Sequence, residues 1–176
     1  IYPEYQRSEP AKWGITQIRK KGLRDLGASL GPEAAHRVAI GAETLALRVQ
    51  RQSENAMAMC DFLHAHPKIK KVYYPGLAEH PQHARAGALF RAFGGLLSFE
   101  LQSHVDLWEF LNRLQVIVKS SNLGDNRTLA IPVAHTIYFE MGPERRARMG
   151  IDDSLIRISS GIEDNEDLLA DISAAF

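Results

Sequence analysis

The periodicity of apolar residues changes near Lys70, and this change limits the fold more than any other feature of the sequence. Before it, apolar residues recur at steps of three, four or seven until His66-Pro67 ends the pattern. This stretch predicts one long helix. Its apolar positions are Leu45, Val49, Ala56, Met59 and Leu63. After Lys70, short runs typical of strands alternate with helical segments.

Four segments in this second part have the composition and alternation of β-strands. In chain order they are KKVYYPGL, GGLLSFELQ, VIVKSS and LIRISS. In GGLLSFELQ one face is apolar and the other is more polar, which is typical of a half-buried strand. We therefore expect an α/β fold of the α+β type, a four-stranded and largely antiparallel sheet with helices on one side, preceded by the long linking helix.

The first ten residues contain Pro3 and Pro10 and predict an extended arm. A helical pattern follows the arm and leads into the long helix. We therefore divide the chain into an arm with a helical passage over residues 1–42 and a domain over residues 43–176.

The charge balance and the cysteine content exclude several classes of function. The sequence has 21 basic and 21 acidic residues, so we expect no nucleic-acid partner, which would need clustered positive charge. No apolar run approaches the roughly 20 residues that cross a bilayer, so we expect no membrane partner. The single cysteine, Cys60, cannot form an internal disulfide, which favours a cytoplasmic location.

Other motifs have simpler interpretations than a catalytic or metal site. His80 and His83 have the spacing of two metal ligands on a helix, but no third ligand follows at a matching offset. We therefore predict no metal site and interpret both as residues of a helix start. Cys60 lies in an apolar helix and is expected to be a buried structural thiol. The run Glu144–Arg148 is expected to be a solvated helix face.

An arginine interrupts the last predicted strand, LIRISS. Strand alternation places Arg157 on one face and its neighbours Ile156 and Ile158 on the other. If the isoleucines meet the helices, Arg157 projects from the opposite face of the sheet. A guanidinium fixed on a strand suits a carboxylate, which accepts two parallel hydrogen bonds from it. An exposed arginine or a structural ion pair fits the same pattern.

A polar loop, KSSNLGDNRT, follows the third predicted strand. Ser121 and Asn122 offer side-chain and backbone donors at the end of that strand, as a binding loop requires. A simple Asn/Gly turn is the alternative. Together with Arg157, these residues could hold the carboxylate of an amino acid.

Five blocks of the sequence carry a family resemblance. In chain order they are GAETLALRVQRQSENA, VYYPGLAEHPQH, GGLLSFEL, SSNLGD and GIDDSLIRISSGIEDNEDLLADI. Together they resemble the Cys/Met-metabolism family of pyridoxal-phosphate enzymes, which includes cystathionine γ-synthases, cystathionine lyases, methionine γ-lyases and homoserine-ester sulfhydrylases. The similarity extends from about Gly27 to Phe176. It implies the small C-terminal domain of a fold-type-I enzyme.

The resemblance also implies roles for the three candidate residues. Arg157 falls on the family arginine that binds the substrate α-carboxylate, and Ser121 and Asn122 fall on positions that help to hold it. Many members have Ser where this chain has Asn122, and Asn there resembles the sulfhydrylase branch. The implied activity is γ-replacement or elimination on homoserine esters or sulfur amino acids. A cystathionine or methionine γ-lyase, and a stand-alone binding or oligomerisation domain, are the alternatives.

The cofactor lysine of the family is missing from this chain. In the family, pyridoxal phosphate is held by a lysine in a Ser-x-Thr-Lys-type motif. None of the seven lysines has that context: Lys12, Lys20, Lys21, Lys68, Lys70, Lys71 and Lys119. The resemblance places this lysine and the phosphate-binding loop upstream of Ile1. We therefore expect a fragment that holds no catalytic residue and does not bind pyridoxal phosphate alone, from a parent homo-oligomer (dimer or tetramer) that acts on an amino-acid substrate.

Overall fold

The structure is a computed structural model, and it describes residues 9–27 and 29–176. The chain divides into two compact units, Ile1–Thr44 and Leu45–Phe176. Most of the expected extended arm, residues 1–8, lies outside the described residues. The last residue of that arm, Pro10, begins a short 3-10 helix instead.

The described part of the first unit is helical. Its elements are the 3-10 helix Pro10–Lys12, α1 (Trp13–Gln17), a π-helical segment (Ile18–Leu23), α2 (Arg24–Leu26) and α3 (Pro32–Glu43). Helix α2 ends at Gly27, whose φ of 64° is the left-handed conformation that favours glycine at a helix end. Helix α3 begins at Pro32, because the fixed φ of proline suits a first helical turn.

The second unit contains the sheet. Its elements are α4 (Leu45–Ala65), β1 (Ile69–Tyr73), α5 (His83–Leu89), β2 (Leu96–Leu101), α6 (Leu107–Arg113), β3 (Val118–Lys119), β4 (Leu129–Pro132), a 3-10 helix (Phe139–Met141), α7 (Pro143–Arg148), β5 (Leu155–Ser159) and α8 (Asn165–Ala175). Helix α4 ends at Ala65, immediately before His66-Pro67, as the sequence predicts. Leu45 and Val49 are 49% and 40% exposed, so this face of the helix is buried only from Gln52 onward.

The sheet of the described chain has five strands in the order β1-β2-β5-β4-β3. All neighbours are antiparallel except β3 and β4, which are parallel. The prediction of a four-stranded, largely antiparallel sheet is therefore wrong, because the sheet is five-stranded and mixed. The missed strand is β4. All four of its residues are buried, so its sequence shows no alternation, and it ends at Pro132.

One face of the sheet packs on helices α4, α6 and α8. In β5, Ile156 and Ile158 are buried in this core, as the alternation predicts. Phe99 of β2 contacts Phe110 of α6 edge to face, with ring centroids 5.9 Å apart. The other fully buried side chains of this core include Met59, Leu63, Leu97, Leu101, Leu111, Leu168 and Ile172. The three helices therefore cover one face of the sheet, and the side chains of the opposite face point away from this core.

The run Glu144–Arg148 forms α7 and is not wholly solvated. Arg146 is buried, and its guanidinium donates to Asp153 (3.1 Å) and to the carbonyl oxygen of Phe139 (3.4 Å). The expectation of a solvated face is wrong for this residue, because the chain folds back on both sides of the short helix.

His83 and Cys60 both have roles in packing or hydrogen bonding within the fold. The Nδ1 atom of His83 lies 2.8 Å from the carbonyl oxygen of Pro75, and its ring stacks on Phe93. Cys60 is buried in the core, and burial raises the pKa of its thiol. Within the described ranges, no group of three or more His, Cys, Asp or Glu side chains could hold a metal ion. None of the described helices is long and apolar enough to cross a membrane.

A polar cluster joins β1, β2 and the turn before β5. Glu100 is only 4% exposed, and its carboxylate accepts from the Tyr73 hydroxyl (2.5 Å) and pairs with Lys70 (2.8 Å). Lys70 also pairs with Asp152 at 2.8 Å. The Lys70 hydrogen bond, supported by the backbone N–H of Ser154, lowers the pKa of Asp152 to about 2. Burial, supported by the bond to Glu100, raises the pKa of Tyr73 to about 12.

We expect Leu168→Ala in α8 to lower the free energy of unfolding by about 2–5 kcal/mol, because it leaves a cavity in a closed core. Leu168 is fully buried, whereas Leu89 in α5 is 64% exposed and is the matched helical control. Urea denaturation of both variants measures the difference. Equal losses in the two variants would contradict the assigned core.

We expect Asp152 to contribute to stability above pH 4 and to lose that contribution as the pH falls toward about 2. The reason is that its pKa is lower in the folded chain than the unfolded value of about 3.9. Urea denaturation at several pH values should show a shallower acid limb for Asp152→Asn than for Asp61→Asn, an exposed aspartate outside the cluster. An acid limb unchanged by Asp152→Asn would contradict this assignment.

Candidate functional site

Arg157 lies at the centre of β5, which is paired on both sides. Its direct neighbours across the sheet are Ser98 in β2 and Ile131 in β4. Two ladders therefore fix the Arg157 backbone, and the alternation directs its side chain to the face opposite the helices. The side chain is half-buried there. A cation is thus held on a rigid element of the fold.

The Arg157 guanidinium binds the loop that follows β3. Its Nη2 donates a hydrogen bond of 2.8 Å to the carbonyl oxygen of Ser121. Its Nε is buried and has no hydrogen-bond partner within the described part of the chain. Among the described residues no carboxylate forms an ion pair with it, which leaves the structural ion pair without support. Burial lowers the pKa of Arg157, and the nearby Tyr138 opposes this shift, but an arginine stays charged in proteins.

The structure brings Ser121 to Arg157 through its backbone. Ser121 and Asn122 are both exposed at the start of the loop. The contact with Arg157 uses the carbonyl oxygen of Ser121, and the N–H of Asn122 donates to the Ser120 hydroxyl (3.4 Å). Ser121 therefore contacts the arginine through its backbone, and Asn122 is the next residue of the exposed loop.

Three further hydrogen bonds fasten the second half of this loop. The N–H of Gly124 donates to the Ser159 hydroxyl at 3.0 Å. The Gln52 amide of α4 donates to the carbonyl oxygen of Asp125 at 3.0 Å. The N–H of Ile162 donates to the carbonyl oxygen of Asn126 at 2.9 Å. The loop is therefore tied to β5, to α4 and to the segment after β5.

The segment after β5 also fixes the end of the loop. The Glu163 carboxylate accepts from the N–H (2.5 Å) and the hydroxyl (2.8 Å) of Thr128. The Thr128 hydroxyl accepts from the N–H of Gly161 at 2.8 Å, and the Asn55 amide donates to the Glu163 carbonyl at 2.8 Å. A Cβ atom on Gly161 would lie 2.4 Å from the carbonyl oxygen of Asn126. The close approach of the two backbone segments at this point therefore requires glycine.

Sequence reasoning missed most of these positioning residues. Ser159 could have been found, because alternation places it on the same face as Arg157. Gln52 and Asn55 are buried polar residues of an apolar helix, and such residues need hydrogen-bond partners. Tyr138 carries no local signal, since only the folded chain brings it near Arg157.

A cavity of about 660 Å³ lies beside the loop. Its wall includes Ser121 with apolar side chains from Trp108, Ile131 and Ile137, and Lys119 is the lysine that lines it. The Lys119 ammonium donates to the Asn112 amide oxygen at 3.2 Å. The described residues that line the wall include no glycine turn to cradle a phosphate and no aspartate for a pyridine nitrogen. The residues of this cavity therefore do not fit pyridoxal phosphate.

The chain is similar over most of its length to enzymes of sulfur amino-acid metabolism. It is 40% identical over 163 residues to O-acetyl-L-homoserine sulfhydrylase 1 of Thermus thermophilus, an alignment that covers 92% of this chain and 39% of that protein. It is also 40% identical over 158 residues to an L-methionine γ-lyase of Fusobacterium nucleatum, covering 89% of this chain and 40% of that protein.

A solved structure supports the same relationship. The cystathionine γ-synthase of Xanthomonas oryzae pv. oryzae, in complex with aminoacrylate and cysteine, matches with a TM-score of 0.84 and 34% identity. The match covers 96% of this chain and 43% of that one. The chain thus spans about two fifths of the length of these relatives. The family of Cys/Met metabolism PLP-dependent enzymes matches residues 8–176, and the chain belongs to that family.

Proposed function

We propose that this chain is the part of a pyridoxal-phosphate-dependent enzyme of sulfur amino-acid metabolism that holds the substrate α-carboxylate. The parent acts by γ-replacement or elimination on homoserine esters or sulfur amino acids. The observation that carries the proposal is the Arg157 guanidinium, half-buried at the centre of the sheet and without an acidic partner among the described residues. The parent is a homo-oligomer, and its cytoplasmic location stays a prediction.

The contribution of Arg157 is to bind and orient the substrate. The Ser121 carbonyl engages Nη2 and so restrains the plane of the guanidinium. The remaining N–H donors can meet a carboxylate, which forms charge-assisted hydrogen bonds of about 2.7–2.9 Å. Ser121 and Asn122, which follow β3 in the chain, offer further side-chain and backbone donors next to this contact. A carboxylate held at several points fixes the substrate relative to the cofactor, which acts as the electron sink when it is bound.

Asn122 favours the sulfhydrylase branch as the first candidate, and a methionine γ-lyase is the second. The specific observation for the second is that the lyase of Fusobacterium nucleatum matches at the same 40% identity as the sulfhydrylase. Both activities require an amino-acid substrate to be bound by its α-carboxylate, so Arg157 does not distinguish between them.

We expect Arg157→Lys, in the whole protein that carries this chain, to lower kcat/KM for its amino-acid substrate by about 10-fold and Arg157→Ala by about 100-fold or more. Lysine keeps the charge but loses the planar pair of donors, and alanine loses both. The carboxamide analogue of the substrate is the control, and its turnover should change little. Equal losses on both compounds would contradict a role in carboxylate binding.

We expect the whole protein to convert O-acetylhomoserine and sulfide to homocysteine faster than it eliminates methanethiol from methionine. The reason is that the Asn122 position resembles the sulfhydrylase branch. Product analysis by mass spectrometry, with and without sulfide, separates the two reactions. Release of methanethiol and 2-oxobutanoate as the dominant activity would assign the γ-lyase instead.

A further inference from the structure

We propose that Ser159 is a positioning residue of the carboxylate site. Its hydroxyl holds the loop of residues 121–125 against β5, so that Ser121 and Asn122 stand beside Arg157. This inference rests on the proposed function and deepens it, because it assigns the group that sets the geometry of the loop.

Ser159 and Arg157 present a pair of attachment points to one loop. They lie two residues apart on the same face of β5, about 7 Å along the strand. Arg157 binds the carbonyl oxygen of Ser121, and Ser159 accepts from the N–H of Gly124 at 3.0 Å. The loop is therefore held at two points by neighbouring side chains of one strand. These two contacts are the side-chain contacts from β5 that set the distance of the loop from the strand.

The Ser159 hydroxyl is itself well fixed. Ser159 is only 5% exposed, and its backbone pairs with Leu96 in β2 and Leu129 in β4. Its partner Gly124 has a φ of 71°, a conformation that side-chain-bearing residues rarely adopt. Glycine adopts this conformation without steric cost, and the resulting turn directs the Gly124 N–H to the Ser159 hydroxyl.

The hydrogen bond to Ser159 has a consequence for the arginine. If the loop moves, the Ser121 carbonyl moves with it and no longer restrains the Arg157 guanidinium. Gln52 holds only the carbonyl oxygen of Asp125, and it belongs to a different element, so it does not replace the second point on β5. Loss of the Ser159 hydroxyl should therefore weaken substrate binding without removing a group that touches the reacting atoms.

The test uses Ser159→Ala in the whole protein, with Ser160→Ala as the matched control. Ser160 is the adjacent serine and is 1% exposed, and it makes no hydrogen bond to the loop of residues 121–125. We expect Ser159→Ala to raise KM for the amino-acid substrate about 10-fold, with kcat changed by less than about 3-fold. We also expect it to reduce the preference for the carboxylate substrate over its carboxamide analogue, and Ser160→Ala to leave that preference unchanged.

A second variant, Ser159→Cys, keeps the size of the side chain and replaces the oxygen by a weak acceptor, and it decides the question if Ser159→Ala does not fold. If the folded Ser159 variants prefer the carboxylate substrate over its carboxamide analogue as strongly as the wild-type protein does, the inference is wrong. If Arg157→Lys changes that preference and the Ser159 variants do not, only this inference fails. If Arg157→Lys also leaves it unchanged, the proposed function fails as well.

Discussion

The pairing of β5 on both sides is the constraint on which the rest of the site depends. Because β2 and β4 fix its backbone, its side chains can only alternate between the helical core and the opposite face. Burial of Ile156 and Ile158 sets that alternation, since a slip of one residue would place the arginine in the core and the isoleucines outside. The same hydrophobic contacts that stabilise the domain therefore aim Arg157.

The loop that meets Arg157 is built from tertiary hydrogen bonds, not from secondary structure of its own. Side chains of α4 and β5 and the backbone after β5 hold consecutive residues of it, and the Thr128–Glu163 pair closes its end. Buried polar groups are costly unless they are paired, and here each pair also ties the loop to a rigid element. The arrangement therefore combines a rigid strand, which carries Arg157, with a loop that is fastened beside it and contacts the guanidinium through the Ser121 carbonyl.

Most of the fold was predictable from local patterns, and the exceptions have physical reasons. Periodicity indicated α4, and alternation indicated the two faces of β5. The strand β4 was missed, because a strand buried on both faces has no alternation and Leu129–Pro132 is too short for composition to identify it. At the site, the sequence indicated Arg157, Ser121 and Asn122, and the family resemblance supplied their role. The partners of Gln52, Asn55 and Glu163 were not predictable, because these partners lie far away in the chain.

The proposed role of Arg157 is to bind the carboxylate of an amino-acid substrate. The most direct test is a crystal structure of the whole protein with a non-reactive substrate analogue. We expect carboxylate oxygens of the analogue within about 3.2 Å of the Arg157 guanidinium, with the loop of residues 121–125 beside them. An acidic side chain of the protein paired with Arg157, and the analogue carboxylate bound elsewhere, would show that Arg157 does not bind the substrate.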